Sequence, residues 1–112
     1  MQDYKEVVTG RIVDRDGAAV AGAKVRVYDK DLLFNDHLGT AVSGQDGRFR
    51  VDFTWSQYKD SYYFDGRPDI FVKVSNPETG KTTKSEVFEN LTGELSADDS
   101  VEVMDLGDLA VD

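Results

Sequence analysis

The chain has 112 residues, the size of one domain and long enough to bury a core without staples. Cysteine is absent, which excludes a disulfide frame, a thiolate metal site and a cysteine nucleophile. Acidic residues number 22 against 13 basic ones, a formal net charge of −9 that makes nucleic acid and anionic membrane poor partners.

Asp outnumbers Glu by 16 to 6, and Asp favours turns over helix interiors because its short side chain bonds nearby backbone. In chain order, "EVVTGRIVD" reads as a strand and is stopped by "DRDG", whose Asp-Gly step signals a tight turn. "AKVRVYD" alternates, with Ala23, Val25 and Val27 on one face and Lys24, Arg26 and Tyr28 on the other. The polar loop Lys30–Leu38 leads to a strand "GTAVS", a turn "GQDG" and a strand "RFRVDFT" with Phe49, Val51 and Phe53 inward. "WSQYKDSYYFDGRP" follows, with one short helical turn expected near 56–62, capped by Ser56. Then come "DIFVKVS" with Ile70, Val72 and Val74 inward, the turn "NPETG", "KTTKSEVF", an acidic loop 89–100, and "VEVMDLGDLAV".

This spacing predicts an all-β, about seven-stranded antiparallel Greek-key β-sandwich occupying 1–112 as a single domain. No apolar run approaches the ~20 residues that span a bilayer. The start "MQDYKEVVTG" shows no basic and then apolar leader, so the expected location is cytoplasmic; a trimmed secreted chain would read the same. If successive strands reverse direction, the tight turns at Asp14–Gly17, Gly44–Gly47 and Asn76–Gly80 share one end of the sandwich. The long loops 30–38, 55–68 and 89–100 then share the other, and loops on a rigid scaffold are where binding residues concentrate.

That long-loop end collects Phe34, Trp55, Tyr58, Tyr62 and Tyr63, the expected binding residues, either a stacking platform or a lid over the core. It also collects carboxylates. Asp29, Asp31, Asn35 and Asp36 in "DKDLLFNDHLG" offer oxygen ligands of the kind calcium takes, with Asp65, Asp69 or Asp98 completing the shell. The spacing is not that of an EF-hand, because Leu33 and Phe34 stand where an Asp-type ligand and Gly are needed. The competing expectation is that Asp29 and Asp31 bond loop amides while Leu32, Leu33 and Phe34 cap the core. His37 is the single histidine; a triad would need an activated hydroxyl and an orienting acid beside it, and nothing around "NDHLG" singles them out. Acids are too plentiful for any pair to stand out as a glycosidase couple, and no phosphate-loop, dinucleotide or zinc motif is present.

"VTGRIVDRDGAAVAGAKVRVYD" followed by "GTAVSGQDGRFRV" resembles the transthyretin-like and carboxypeptidase-regulatory-like superfamily of β-sandwiches. Gly10, Asp16, Gly17, Gly22, Ala23, Val25, Val27, Asp46, Gly47 and Phe49 carry the likeness, and "RPDIFVKV" and "DLGDLAV" extend it over most of the chain. The acidic loop also resembles the third calcium loop of C2 domains, one residue shorter and earlier in the chain. The superfamily resemblance implies small-molecule carriage, lipid or protein binding, or support of a catalytic neighbour. Its 5-hydroxyisourate-hydrolysing branch uses two His and an Arg and ends Tyr-Arg-Gly-Ser; this chain has one His and ends "DLAVD". The sandwich of intradiol dioxygenases holds iron with two His and two Tyr, which the single His also fails to match.

The expected function is therefore a non-enzymatic binding or accessory module using the long-loop end to bind a protein or small ligand. A calcium-dependent domain on Asp29, Asp31 and Asp36 is the alternative, and a hydrolase using His37 or a carboxylate pair the third reading. No cofactor other than calcium is expected. The two lysines of "KTTKSEVF" guard a polar edge, which favours a monomer or a weak homodimer.

Overall fold

The computed structural model describes residues 5–30, 35–54, 68–89, 91–96 and 101–112, with the backbone alone for Asn35 and Asp36. Eight strands form two four-stranded sheets: β1 (Lys5–Val13), β2 (Lys24–Lys30), β3 (Asn35–Val42), β4 (Arg48–Thr54), β5 (Ile70–Ser75), β6 (Thr82–Lys84), β7 (Glu94–Leu95) and β8 (Val101–Ala110). Sheet A has the order β4-β1-β8-β7 and sheet B the order β3-β2-β5-β6. The expected all-β sandwich is thus present. The first and last strands pair in parallel at the centre of sheet A, and every other pair is antiparallel.

The period-two pattern does the folding. Val25 and Val27 of β2, Ile70, Val72 and Val74 of β5, Phe49, Val51 and Phe53 of β4, and Val8, Ile12, Met104 and Leu106 meet in one buried cluster between the sheets. Each such side chain, fully buried, contributes roughly 1.5–3 kcal/mol. On β8 the inward phase runs through Met104 and Leu106 and resumes at Leu109, one residue late. The shift is a β-bulge: Thr9 pairs with Asp105 and Arg11 with Asp108, so β8 carries one extra residue at Gly107, whose φ is +74°. A second irregularity lies between β2 and β3, where Val27 pairs with Gly39 but Tyr28 with His37.

Several expected boundaries move. β3 starts at Asn35 rather than Gly39, because Asn35, Asp36 and His37 continue the ladder with β2, and the connection shrinks to residues 31–34. "KTTKSEVF" forms only three ladder residues, then an isolated bridge from Phe88 to Ile70. The acidic loop donates the two-residue β7 to the edge of sheet A. The helical turn expected near 56–62 lies outside the described residues.

Strand direction alternates from β1 to β6; β7 then runs the same way as β6, and β8 reverses again. Lys5 pairs with Thr54 and Val101, while Arg11 pairs with Arg48 and Asp108. In sheet B, Lys24 pairs with Val42 and Ser75, while Asp29 pairs with Asp36 and Ile70. The turns after β1, β3 and β5 therefore share one end. That end is tightly knit. Ile12 N donates to Gly47 O at 2.7 Å, and buried Ser43 donates through Oγ to Val20 O at 2.7 Å while accepting Ala23 N at 2.9 Å. Asn76 Nδ2 and Thr79 Oγ1 both donate to Asp112 O, which ties the β5–β6 turn to the end of β8.

Candidate functional site

The opposite end carries three connections, of which only the one between β4 and β5 is long. Segment 31–34 leaves Lys30 and returns at Asn35, segment 55–67 leaves Thr54 and returns at Pro68, and segment 97–100 precedes Val101. Lys5 pairs with Thr54 and Val101 in sheet A and Lys30 with Asn35 in sheet B. Because Val20 bonds both Ile12 of β1 and Ser43 after β3 at the turn end, these termini belong to the opposite end of both sheets. The three expected loops do share an end by their strand termini, but β3 takes up 35–38 and β7 takes up 94–95, so the first is not a long loop. Phe34, Trp55, Tyr58, Tyr62 and Tyr63 themselves, and Asp31, Asp65 and Asp98, lie outside the described residues.

At this end of the strands the structure places three buried carboxylates. Asp29 continues the inward phase of Val25 and Val27 and is 4% exposed. Its Oδ1 accepts the amide of Asp69 at 3.3 Å, while Lys30 N donates to Asp69 O at 2.7 Å. Asp29 thus accepts an amide from the segment entering β5, while Asp31, Leu32, Leu33 and Phe34 lie outside the described residues. Asp36 pairs with Asp29 on the ladder. Glu6 and Glu102, 2% and 9% exposed, are register partners on β1 and β8, in phase with the core residues Val8 and Met104. Glu102 Oε2 accepts the amide of Gly93 at 3.1 Å and so orders the chain entering β7. Among the described residues no three acids or histidines gather closely enough to hold a metal ion.

The two glutamates escaped the sequence reading, although a signal was available. In "VEVMDL", Glu102 shares the period of Met104 and Leu106, and in "EVVTGRI" Glu6 shares that of Val8 and Ile12. A charged residue in the inward phase at a strand end marks where the core gives way to a polar rim.

His37 sits away from this buried set, exposed on the outer face of sheet B. Its Nε2 is 2.9 Å from Thr40 Oγ1, and its ring is tilted 54° against Tyr28 at 5.4 Å. Near the turn end, a groove of about 300 Å³ opens between the sheets, floored by Val72, Val74, Leu109 and Val111. It exists because β6 is three residues long and β7 reaches only Glu102 and Val103 on β8. Among the described residues no helix is long and apolar enough to cross a membrane.

No family model matches the chain. Over 54 residues, 48% of its length, it is 35% identical to the uncharacterized proteins Rv0814c and Rv3118 of Mycobacterium tuberculosis, and it spans about half (54%) of each. Among solved structures it is similar to chlorocatechol 1,2-dioxygenase from Pseudomonas putida, with a TM-score of 0.59 and 14% identity over 97% of this chain and 61% of that one. The dioxygenase domain of a dioxygenase carbohydrate-binding protein fusion from Streptomyces sp. SirexAA-E aligns with a TM-score of 0.58 and 17% identity, covering 97% and 81%. A 9R-lipoxygenase from Cyanothece PCC8801 aligns with a TM-score of 0.57 and 20% identity, covering 98% of this chain and 16% of that one. At such identities the likeness is one of fold, and it supports the β-sandwich.

Proposed function

We propose that this chain is a transthyretin-like, non-enzymatic binding module that engages a positively charged partner through its long-connection end. One observation carries the reading: the described termini of β2, β3, β4, β5 and β8 bring the connections 31–34, 55–67 and 97–100 to the same end, and the connection between β4 and β5 is the longest between successive described strands. A rigid sandwich that brings three connections to one side offers them as a single surface. The Asp-Gly turns after β1 and β3 support the transthyretin-like assignment, since Gly17 and Gly47 adopt φ of +88° and +83° where that pattern has glycine. Asp60, Asp65, Asp98 and Asp99 give these connections an acidic character, hence the choice of a basic partner surface or a cation.

The chain's one tryptophan, Trp55, follows β4 and makes a local reporter. Titration with a lysine-rich peptide at low salt is expected to change its fluorescence and to shift backbone amides near Lys30, Thr54, Asp69 and Val101. Amide shifts confined to the turn end, or none at all, would reject this reading.

Calcium is the second reading, favoured by the pairing of Asp29 with Asp36 on the β2–β3 ladder. Millimolar calcium should then raise the Tm, EDTA should reverse the rise, and Asp29→Asn should abolish it. A melting curve unmoved by calcium removes this option.

A further inference from the structure

Charge is distributed unevenly over this acidic molecule. Every described ion pair uses a basic residue of β1, β4 or the β1 turn: Lys5 and Arg50 with Asp52, Arg11 with Asp108, Arg15 with Asp112, Arg48 with Asp46. The outer face of sheet B is different. The ladder sets Arg26 opposite Lys73, and Lys73 opposite Lys84, a row of three cations across β2, β5 and β6. With strands about 4.8 Å apart, the row is roughly 10 Å long. Lys24 lies on the same face, two residues before Arg26. No described carboxylate pairs with any of these four.

Like charges placed directly opposite on a sheet repel, so such a row needs compensation. The neighbouring row supplies part of it. Tyr28 and Phe71 are register partners whose rings stack at 5.1 Å and 10°. Lys73 Nζ lies 5.4 Å from the Tyr28 centroid and Lys84 Nζ 4.7 Å from that of Phe71. Each ammonium is thereby held over a ring face by a cation–π contact, and the two converge above adjacent rings. Phe71 faces outward yet is 1% exposed, so its ring is held under its neighbours, Lys84 among them.

We propose that this face is a binding site for a compact oligoanion bearing two or three phosphate groups, held by Arg26, Lys73 and Lys84. The two ammonium groups act as point charges and the guanidinium as a bidentate donor to phosphate oxygens. A compact ligand fits better than a long polyanion. The row ends after about 10 Å, and a chain extending past it meets the surface of a molecule with net charge −9. The site does not rest on the reading given above for the long-connection end.

The test is an amide-resolved NMR titration of the full chain with inorganic tripolyphosphate at low salt, repeated at about 0.3 M salt, where screening is strong. Saturable shifts at residues 24–28, 71–75 and 82–84 are expected, with affinity falling as salt rises. Arg26→Glu and Lys73→Glu should each weaken binding about tenfold or more, whereas Arg50→Glu on sheet A should not. Lys73→Gln removes one member of the repelling row, so its Tm should match or exceed that of the parent, which separates lost binding from lost folding. Absence of shifts at millimolar tripolyphosphate would overturn the proposal, as would tighter binding of poly-glutamate or single-stranded DNA at the same residues.

Discussion

Two glycines of the turn end separate backbone strain from steric exclusion. Gly17 and Gly47 have φ of +88° and +83°, conformations that cost an L-residue roughly 1–2 kcal/mol. At Gly17 an added Cβ meets nothing within 4 Å. At Gly47 it would run into the carbonyl oxygen of Ile12 and lie 3.3 Å from Ala19 Cβ. That carbonyl accepts Val20 N at 2.9 Å, and Ile12 N donates to Gly47 O at 2.7 Å, so it cannot retreat without breaking the knit between β1, the Val20 segment and the β3–β4 turn. Gly17→Ala should therefore cost about 1–2 kcal/mol and Gly47→Ala about 3 kcal/mol or more. Urea denaturation of the two variants checks this, and equal midpoints would show that strain alone accounts for both glycines.

At the level of elements, the outward face of the β1–β4 pair carries a charge network. Asp52 accepts Arg50 Nε at 2.7 Å and Nη2 at 3.3 Å, and lies 3.1 Å from Lys5 Nζ. The hydrogen bond from Arg50 holds the Asp52 carboxyl below its ordinary range against slight burial, with a smaller contribution from Lys5. A carboxyl lowered in the folded state stabilises the fold above the unfolded pKa of about 3.9, and that contribution disappears as pH falls through the lower folded value. Asp52→Asn should thus melt lower than the parent by at most a few degrees near neutrality, since both partners are well exposed. The gap should hold down to about pH 4 and close below it; a gap persisting at pH 2 would mean that shape, not charge, is what Asp52 supplies.

The same elements show how far the sequence could be read. Strict alternation in "AKVRVYD", "RFRVDFT" and "DIFVKVS" made β2, β4 and β5 legible, because each buries one face and a one-residue slip would expose it. The early start of β3 was not legible. It rests on ladder pairing of Asn35 to His37 with β2 across an irregularity, which no local pattern in "NDHL" encodes. Nor was the cationic row, since Arg26, Lys73 and Lys84 lie far apart in the chain and become neighbours only through strand order β2-β5-β6. At the site, the shared end of 31–34, 55–67 and 97–100 followed from successive strands reversing, whereas the shortness of 31–34 and the added strand β7, parallel in sense to β6, did not. The inward Asp29, Glu6 and Glu102 depended on carrying the core phase to the strand ends, where a charged residue reads as solvent-facing by default.

For the whole molecule, sheet order sets both how it comes together and where it opens. β1 and β8 lie side by side at the centre of sheet A, so the core of that sheet closes only when the two ends of this sequence meet in parallel. Pairings of such separation raise the entropy of loop closure before any contact forms, which places folding in the slow range typical of β-sandwiches, milliseconds to seconds. Once formed, β1, β8, β2 and β5 have a strand on each side, whereas β6 and β7 hang on the edges by three and two residue pairs. Local opening draws on the least-buried, least-paired elements first. Native-state hydrogen exchange should therefore find the slowest amides on β1, β8, β2 and β5, and those of Glu94, Leu95 and Thr82–Lys84 at least about a hundredfold faster. Because β7 attaches where Glu102 receives the Gly93 amide, Glu102→Ala should speed exchange at Glu94 and Leu95 and leave β6 unchanged. If β7 proved as protected as β1, the edge would be held by more than its two ladder pairs, and the long-connection end would be part of the rigid body and not a surface laid upon it.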